Sequence, residues 1–418
     1  MTGSLRRASA TGALALLAVA GWSGSLATVA AGGVVLAGLY RPRAPGGSTS
    51  HTEGIALIGA AMGLGAAWLW AGYPGALVVA TLALAAYGIA LEVPPSHAGA
   101  GVHAIGGAVL ATVAGVVGHA AAGGAVSETL PELVVVAIVG GLVTTLVVDQ
   151  RPPYRETVVV GAVAPTLWLF WLVVPSQSPT TVAVAVGVTG VVGYAAVALE
   201  TASRSGVVTG VLLALLAVVL GGYGWFVALV AFFGIGGLAT KYHYDEKVAR
   251  GVAEDNQGAR GIANVLGNAA VASGAVVAFA ASETDLLAVD STVFVLAFAG
   301  ALATATADTL SSEVGSVYDG TRLITTFEPV DPGTDGGVTW QGAIAGCVGS
   351  AVIAGIAIAS LPGVTVAAAV AVLVAGVAGM TADSIVGATL EGPVLGNQGV
   401  NFLATVVGAA VAVSFLLL

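Results

Sequence analysis

The chain has 418 residues, of which 57% are hydrophobic and only 8% charged, and its mean hydropathy is +0.99. A soluble protein of this length needs far more charge on its surface, so the composition excludes one large soluble core and implies a series of membrane spans. The net charge of −10 points to no nucleic-acid partner and, with the abundance of Ala, Val and Gly, suggests a high-salt organism.

Apolar runs of roughly 15 to 20 residues recur along the chain between short Gly, Pro or charged breaks. They predict an all-α polytopic integral membrane bundle of about 15 transmembrane helices. Residues 10–39 are read as two short helices parted at Trp22-Ser23-Gly24-Ser25, because basic residues flank both ends. Alternating the breaks from there puts Arg6, Arg7, Arg41, Arg43, Arg151, Arg155, Arg204, Lys241, Lys247, Arg250, Arg260 and Arg322 on one face, which is all 12 basic residues. The opposite breaks carry no Lys or Arg. The positive-inside rule then predicts a multi-pass cell-membrane protein with its N-terminus in the cytoplasm and its C-terminus outside. Reading 10–39 as one helix would invert every later span.

The amino-terminal "LRRAS" reads as a basic anchor, since no cleavage site precedes a soluble domain. A single cysteine, Cys347, excludes an intramolecular disulfide. The 61 glycines suit close helix packing, and no GxxxxGK[ST], HExxH or CxxC is present.

Polar residues are unevenly spread. Up to about Leu199 the basic breaks are short, but three later ones are dense: "KYHYDEKVARGVAEDNQGARGIANVLGN" (241–268), "TADTLSSEVGSVYDGTRLITTFEPVDPGTDGGVTWQG" (306–342) and "TADSIVGATLEGPVLGNQGVNF" (381–402). Thr-Ala-Asp followed by a hydroxyl residue occurs twice, each time closing an apolar run. Asp308, Ser311 and Ser312 share one helical face, whereas Glu313 lies about 140° round and joins them only if the helix ends or unwinds there. Asp383 has Thr381 and Ser384 beside it. Two carboxylates from separate helix ends, with hydroxyls alongside, suit Mg²⁺, though an aspartate near a helix end also serves as a solvated or capping group. Lys241, Lys247, Arg250, Arg260 and Arg322 supply enough charge for a di- or triphosphate, while each alone also reads as a topology anchor. In "DPGTDGGVTWQG" (331–342), Gly333, Gly336 and Gly337 permit close backbone approach to an anion and Thr334 adds a hydroxyl. "NQG" stands before an apolar run twice, at 256–258 and 397–399, where free backbone N–H groups would favour an anion.

The motifs "KYHYDEKVARGVAEDNQGARGIANVLGN", "ADTLSSEVG", "RLITT", "PGTDGGVTWQGAIAG", "DSIVGATLEG" and "VNFLATVVGA" appear in the order found in the transmembrane protein 19 family. The chain resembles an archaeal-type member of that family, to which the plant phytyl-phosphate kinases are related. The likeness covers about residues 180–418, which divides the chain into N-terminal membrane helices of unknown role (1–180) and a family-type catalytic domain (181–418). For the first part, access for a lipid substrate and a homodimer contact are both open.

The resemblance implies transfer of a phosphoryl group from a nucleoside triphosphate, CTP, to an isoprenoid monophosphate in the bilayer, giving the diphosphate. On that basis Asp308, Glu313 and Asp383 are catalytic and hold Mg²⁺, and Lys241, Lys247, Arg260 and Arg322 bind phosphates. Asn264, Asn268, Thr334, Gly336, Gly337 and Asn401 shape the pocket. Trp340 stands where the family is expected to carry a small or hydroxyl residue, which alters the pocket rim. Two other readings use the same residues: a CTP-dependent lipid cytidylyltransferase, and an ion-coupled transporter or flippase with Asp308 and Asp383 as its ion site. Both Thr-Ala-Asp copies fall on one predicted side of the membrane, which does not suit inverted repeats.

Overall fold

A computed structural model of the chain describes residues 74–152, 155–253, 259–284, 286–392 and 394–417. The divided helix at 10–39, Arg6, Arg7, Arg41, Arg43 and the first "NQG" lie outside the described residues. Those residues form thirteen α-helices and one two-stranded ribbon. Ten helices are long and apolar enough to cross a membrane, and two shorter apolar ones cover Gly75–Gly88 and Val158–Val173. The molecule is thus an all-α polytopic membrane protein, as the hydropathy predicts; the total of about 15 spans reaches into residues not described.

The chain forms two compact units, Met1–Val184 and Ala185–Leu418. In the first, α1 (Gly75–Ala90), α2 (His97–Ala121), α3 (Val126–Asp149) and α4 (Arg155–Val173) pack together. Ser96 caps α2 by accepting from the Gly99 amide at 2.9 Å. Leu84, Val135, Val139 and Leu167 are fully buried between the helices. Inside the unit His103 lies against the Tyr87 ring at 4.7 Å and meets Thr145 Oγ1 at 3.0 Å, and Glu132 accepts from the Gln177 amide at 2.7 Å.

Helix α5 (Pro179–Ala198) crosses into the second unit. There follow α6 (Arg204–Leu216), a π turn (Ala217–Gly221), α7 (Tyr223–Lys241), the short α8 (Tyr244–Arg250), α9 (Ile262–Glu283) and α10 (Ser291–Gly315). Strands β1 (Arg322–Leu323) and β2 (Gly337–Val338) pair antiparallel, with Arg322 opposite Val338, before α11 (Trp340–Ser360), α12 (Val366–Leu390) and α13 (Asn397–Ser414).

Helix α10 is the axis of this unit, packed against α7, α9, α11, α12 and α13 and buried along "FAGALATATA". In a bilayer, apolar side chains gain nothing by leaving lipid for protein, so helices associate where small residues let backbones approach. Gly300 does this against α13: an added Cβ would lie 2.6 Å from both Gly408 O and Ala412 Cβ. Gly376 of α12 sits against Ser350 of α11 and Ala303 of α10 in the same way. The alternation of these helices brings the C-terminal ends of α7, α10 and α12 and the first turns of α9, α11 and α13 to one end of the unit.

Candidate active site

A cleft of about 220 Å³ opens at that end, with mainly polar walls. Helices α10 and α12 deliver Asp308 and Asp383 into it, and the two carboxyls are in hydrogen-bonding contact. Both aspartates lie seven residues before the last residue of their helix, Gly315 and Leu390, and so stand two turns inside the helices. At 1.5 Å per residue that is about 10 Å below the helix ends, deeper than the end position read from sequence. The threonine of each repeat turns back on its own helix: Thr306 Oγ1 donates to Leu302 O at 2.7 Å and Thr381 Oγ1 to Val377 O at 2.8 Å. Of the hydroxyls in and beside the two repeats, Thr309, Ser311, Ser312 and Ser384 line the cleft.

Two carboxylates in contact repel unless a proton or a cation lies between them. Asp383 Oδ1 is buried without a hydrogen-bond partner, as are Asn264 Oδ1 and Thr321 Oγ1, and all three residues line the cleft. Buried acceptors left without donors beside a carboxylate pair fit a hard cation that takes oxygen ligands. Among the described residues, no three of His, Cys, Asp and Glu already converge on one metal position.

The opposite wall is built from helix starts. Helices α9 and α13 both begin after an extended glycine, Gly261 and Gly396, with no side-chain cap. Asn264 and Asn268 on α9, and Asn397 and Asn401 on α13, are each i, i+4 pairs that line the cleft. Gly267 between the first pair permits the approach of α13, since a Cβ there would lie 3.1 Å from Gln398 Cα. Uncapped first turns present backbone N–H groups and the positive end of the helix dipole, which favours an anion.

Gly333, Thr334, Asp335, Gly336 and Gly337 close the third side. Gly336 has φ +74, and a Cβ there would lie 2.5 Å from Ser384 O, so the loop reaches α12 only with glycine at this position. Glu391, just past α12, completes the rim; burial, then Asp335 and Asp383, hold its carboxyl above the ordinary glutamate value.

Arg260 is buried at the inner wall, fixed through its backbone by Thr201 O at 3.1 Å and the Ser203 amide at 3.0 Å. Its guanidinium lies 5.7 Å from the Phe232 ring centre, in space left by Gly236, and its charge acts on Asp308.

Most of the candidate residues therefore meet in one cleft: Asp308, Glu313, Asp383, Arg260, Asn264, Asn268, Thr334, Gly336, Gly337 and Asn401 all line it. Lys241, Lys247 and Arg322 do not. Lys241 Nζ donates to Leu199 O at the end of α5, and Arg322 Nη1 donates to Phe327 O at 2.8 Å within its own loop. Lys247 is 1% exposed and spends its three protons on Ala239 O (2.9 Å), Thr240 O (3.2 Å) and Glu313 Oε2 (2.6 Å). The helix does not unwind before Gly315, so Glu313 stays about 140° round α10 from Asp308, and its other oxygen accepts from Thr240 Oγ1 at 2.9 Å.

Glu391, Asp335, Thr321 and Asn397 also line the cleft without having been singled out as ligands. Asp335 and Glu391 stand inside quoted motifs, but nothing in their spacing brings them to Asp383. Asn397 had a signal, its i, i+4 spacing to Asn401 at a helix start.

Comparison with known proteins gives a consistent picture. Protein VTE6, chloroplastic, of Arabidopsis thaliana is 37% identical over 155 residues, which is 37% of this chain and 46% of that protein. The chain therefore spans about half the length of this curated relative. An uncharacterized membrane protein of Synechocystis is 34% identical over 46% of this chain and 74% of its own length. Another from Methanocaldococcus jannaschii is 32% identical over 46% of this chain and 76% of its own length. No solved structure matches the chain. A family model described as Integral membrane protein DUF92 matches residues 187–409, more than half of the chain and all but the ends of the second unit. On that match the chain belongs to the DUF92 family of integral membrane proteins.

Proposed function

We propose that this protein transfers the γ-phosphoryl group of a nucleoside triphosphate, CTP, to an isoprenoid monophosphate, giving the isoprenoid diphosphate and the nucleoside diphosphate. The observation that carries the reading is the contact between Asp308 and Asp383, with a bare carboxylate oxygen, in a cleft whose facing wall is two uncapped helix starts. That pairing of acceptors for a cation with donors for an anion suits a metal-bound phosphate chain. The resemblance to the plant phytyl-phosphate kinases supplies the substrate class.

In the reaction, an oxygen of the lipid monophosphate attacks the γ-phosphorus and the bond from that phosphorus to the β,γ-bridging oxygen breaks. Catalysis of this step is mainly positioning and charge stabilisation. Asp308, Asp383 and the amide oxygen of Asn264 would hold Mg²⁺, which when bound neutralises phosphate charge and aligns the two phosphates. The first turns of α9 and α13 hold phosphate oxygens through backbone N–H groups, and the paired asparagines orient them. Arg260 offsets charge that builds on the transferred group. Thr334, Gly336 and Gly337 bring the loop backbone over the anion. Glu313 anchors Lys247 and so fixes the ends of α7 and α10 beneath the cleft. The cleft end of the second unit carries Arg204, Lys241, Lys247, Arg250, Arg260 and Arg322, which by the positive-inside rule faces the cytoplasm, where nucleotide arrives from water.

The test is to incubate purified protein with Mg²⁺, geranylgeranyl monophosphate and each nucleoside triphosphate labelled at the γ-phosphate. Label in a lipid diphosphate supports the reading and names the nucleotide. Label entering lipid only from α-labelled CTP, with pyrophosphate released, replaces it with cytidylyl transfer.

A further inference from the structure

A second recess in the same unit is chemically the opposite of the cleft. It lies among α5, α6 and α7, with Val207, Gly193, Gly210 and Phe233 on its walls, and polar surface contributes little to it. Among the described residues, Arg260 alone lines both this recess and the polar cleft. The charge is held at that junction by the fold: Gly206 lets α6 pack directly on the Arg260 carbonyl, and Thr201 and Ser203 bind its backbone. Helix α5 is largely uncovered on its outer side, where Val191 and Tyr194 are exposed, so the recess borders the lipid-facing surface.

We infer that this recess receives the hydrocarbon chain of the acceptor lipid, its first isoprene units lying between α5 and α6 with the phosphate turned past Arg260 into the cleft. The inference rests on the phosphoryl-transfer reading and adds the place where the acceptor is recognised. An apolar recess ending at a buried guanidinium complements a molecule with an apolar tail and an anionic head. Moving a prenyl chain from lipid into protein gains no hydrophobic energy, so the recess selects by shape. Gly210 leaves room for the methyl branches of such a chain, since a Cβ there would meet nothing within 4 Å, whereas Gly193 lets α5 pack closely on Val211 of α6.

The test uses the full-length protein in detergent and lipid. Gly210→Leu fills the recess from an open position; Val191→Leu adds bulk on the outer face as a control. The quantity read is kcat/KM for geranylgeranyl monophosphate divided by kcat/KM for a five-carbon prenyl monophosphate. Gly210→Leu is expected to lower this ratio about tenfold and Val191→Leu to leave it unchanged. An unchanged ratio in Gly210→Leu overturns the inference. If the wild-type protein turns over neither phosphate, the kinase reading falls. The recess is then judged by a geranylgeranyl monophosphate carrying a diazirine on its second isoprene unit. Crosslinks within 192–211 support it, and crosslinks confined to other segments overturn it.

Discussion

Asp308 and Asp383 are 75 positions apart in the chain and touch side chain to side chain between α10 and α12, each two turns inside its helix. Neither carboxylate has a satisfactory partner in the other, and Asp383 keeps a buried oxygen with no donor. A bound cation removes both problems together.

Magnesium is therefore expected to stabilise the folded protein. At a hundredfold excess over its dissociation constant the gain is about 2.7 kcal/mol. Thermal unfolding in detergent with and without Mg²⁺ measures it. Asp308→Asn and Asp383→Asn should each abolish the Mg²⁺-dependent rise; a full rise in either variant places the cation elsewhere.

The Lys247–Glu313 pair is a structural bond, buried and fully satisfied. Removing one partner leaves an uncompensated charge and costs about 3–5 kcal/mol. Lys247→Met and Glu313→Gln should each lower the unfolding temperature. The double variant Lys247→Met/Glu313→Leu should recover much of the loss, which denaturation of all three proteins checks. Additive losses in the double variant would contradict this.

Glu391 gives a pH dependence of stated sign. Burial and the neighbouring Asp335 and Asp383 raise its pKa on folding, so the folded chain holds this proton where the unfolded chain has released it. Its contribution to stability is complete below the unfolded value of 4.5 and is lost as pH rises through the raised folded value. Glu391→Gln should accordingly lose less stability than wild type as pH rises from 4.5 through the raised folded value. Because a bound cation needs the ionised form, apparent Mg²⁺ affinity should rise with pH over the same window in wild type, and less in the variant.

Gly336→Ala tests the loop over the cleft. Its positive φ and the closeness of Ser384 O and Ala388 leave no room for a methyl group. The cost is about 1–3 kcal/mol of local strain. The expected outcome is a lower kcat/KM, together with increased amide exchange at 331–339. Gly320, also at positive φ but with open space around it, should tolerate the change better in packing terms.

The helical membrane architecture was legible because hydropathy reports burial in lipid directly. The helices around α10 could be counted from apolar runs, and Asp308 with Ser311 and Ser312 on one face followed from the 3.6-residue period. Depth was less legible: the polar tail of "TADTLSSEVG" reads as a helix end, yet the helix runs on to Gly315 and sinks the aspartate. Lys247 looked like its neighbours Lys241 and Arg250, and only the folded structure shows it turned inward to Glu313. Glu391 and Asp335 come from different motifs and meet through the turn of the loop at Gly336, a contact that no local periodicity encodes.

The most direct measurement is the initial rate at which γ-labelled CTP transfers phosphate to geranylgeranyl monophosphate in wild type, Asp308→Asn and Asp383→Asn. Unfolding curves are recorded on the same preparations. The account predicts lipid diphosphate from wild type and a loss of about 10²–10³-fold or more in each variant without loss of the folded state. Undiminished transfer by either folded variant would contradict it.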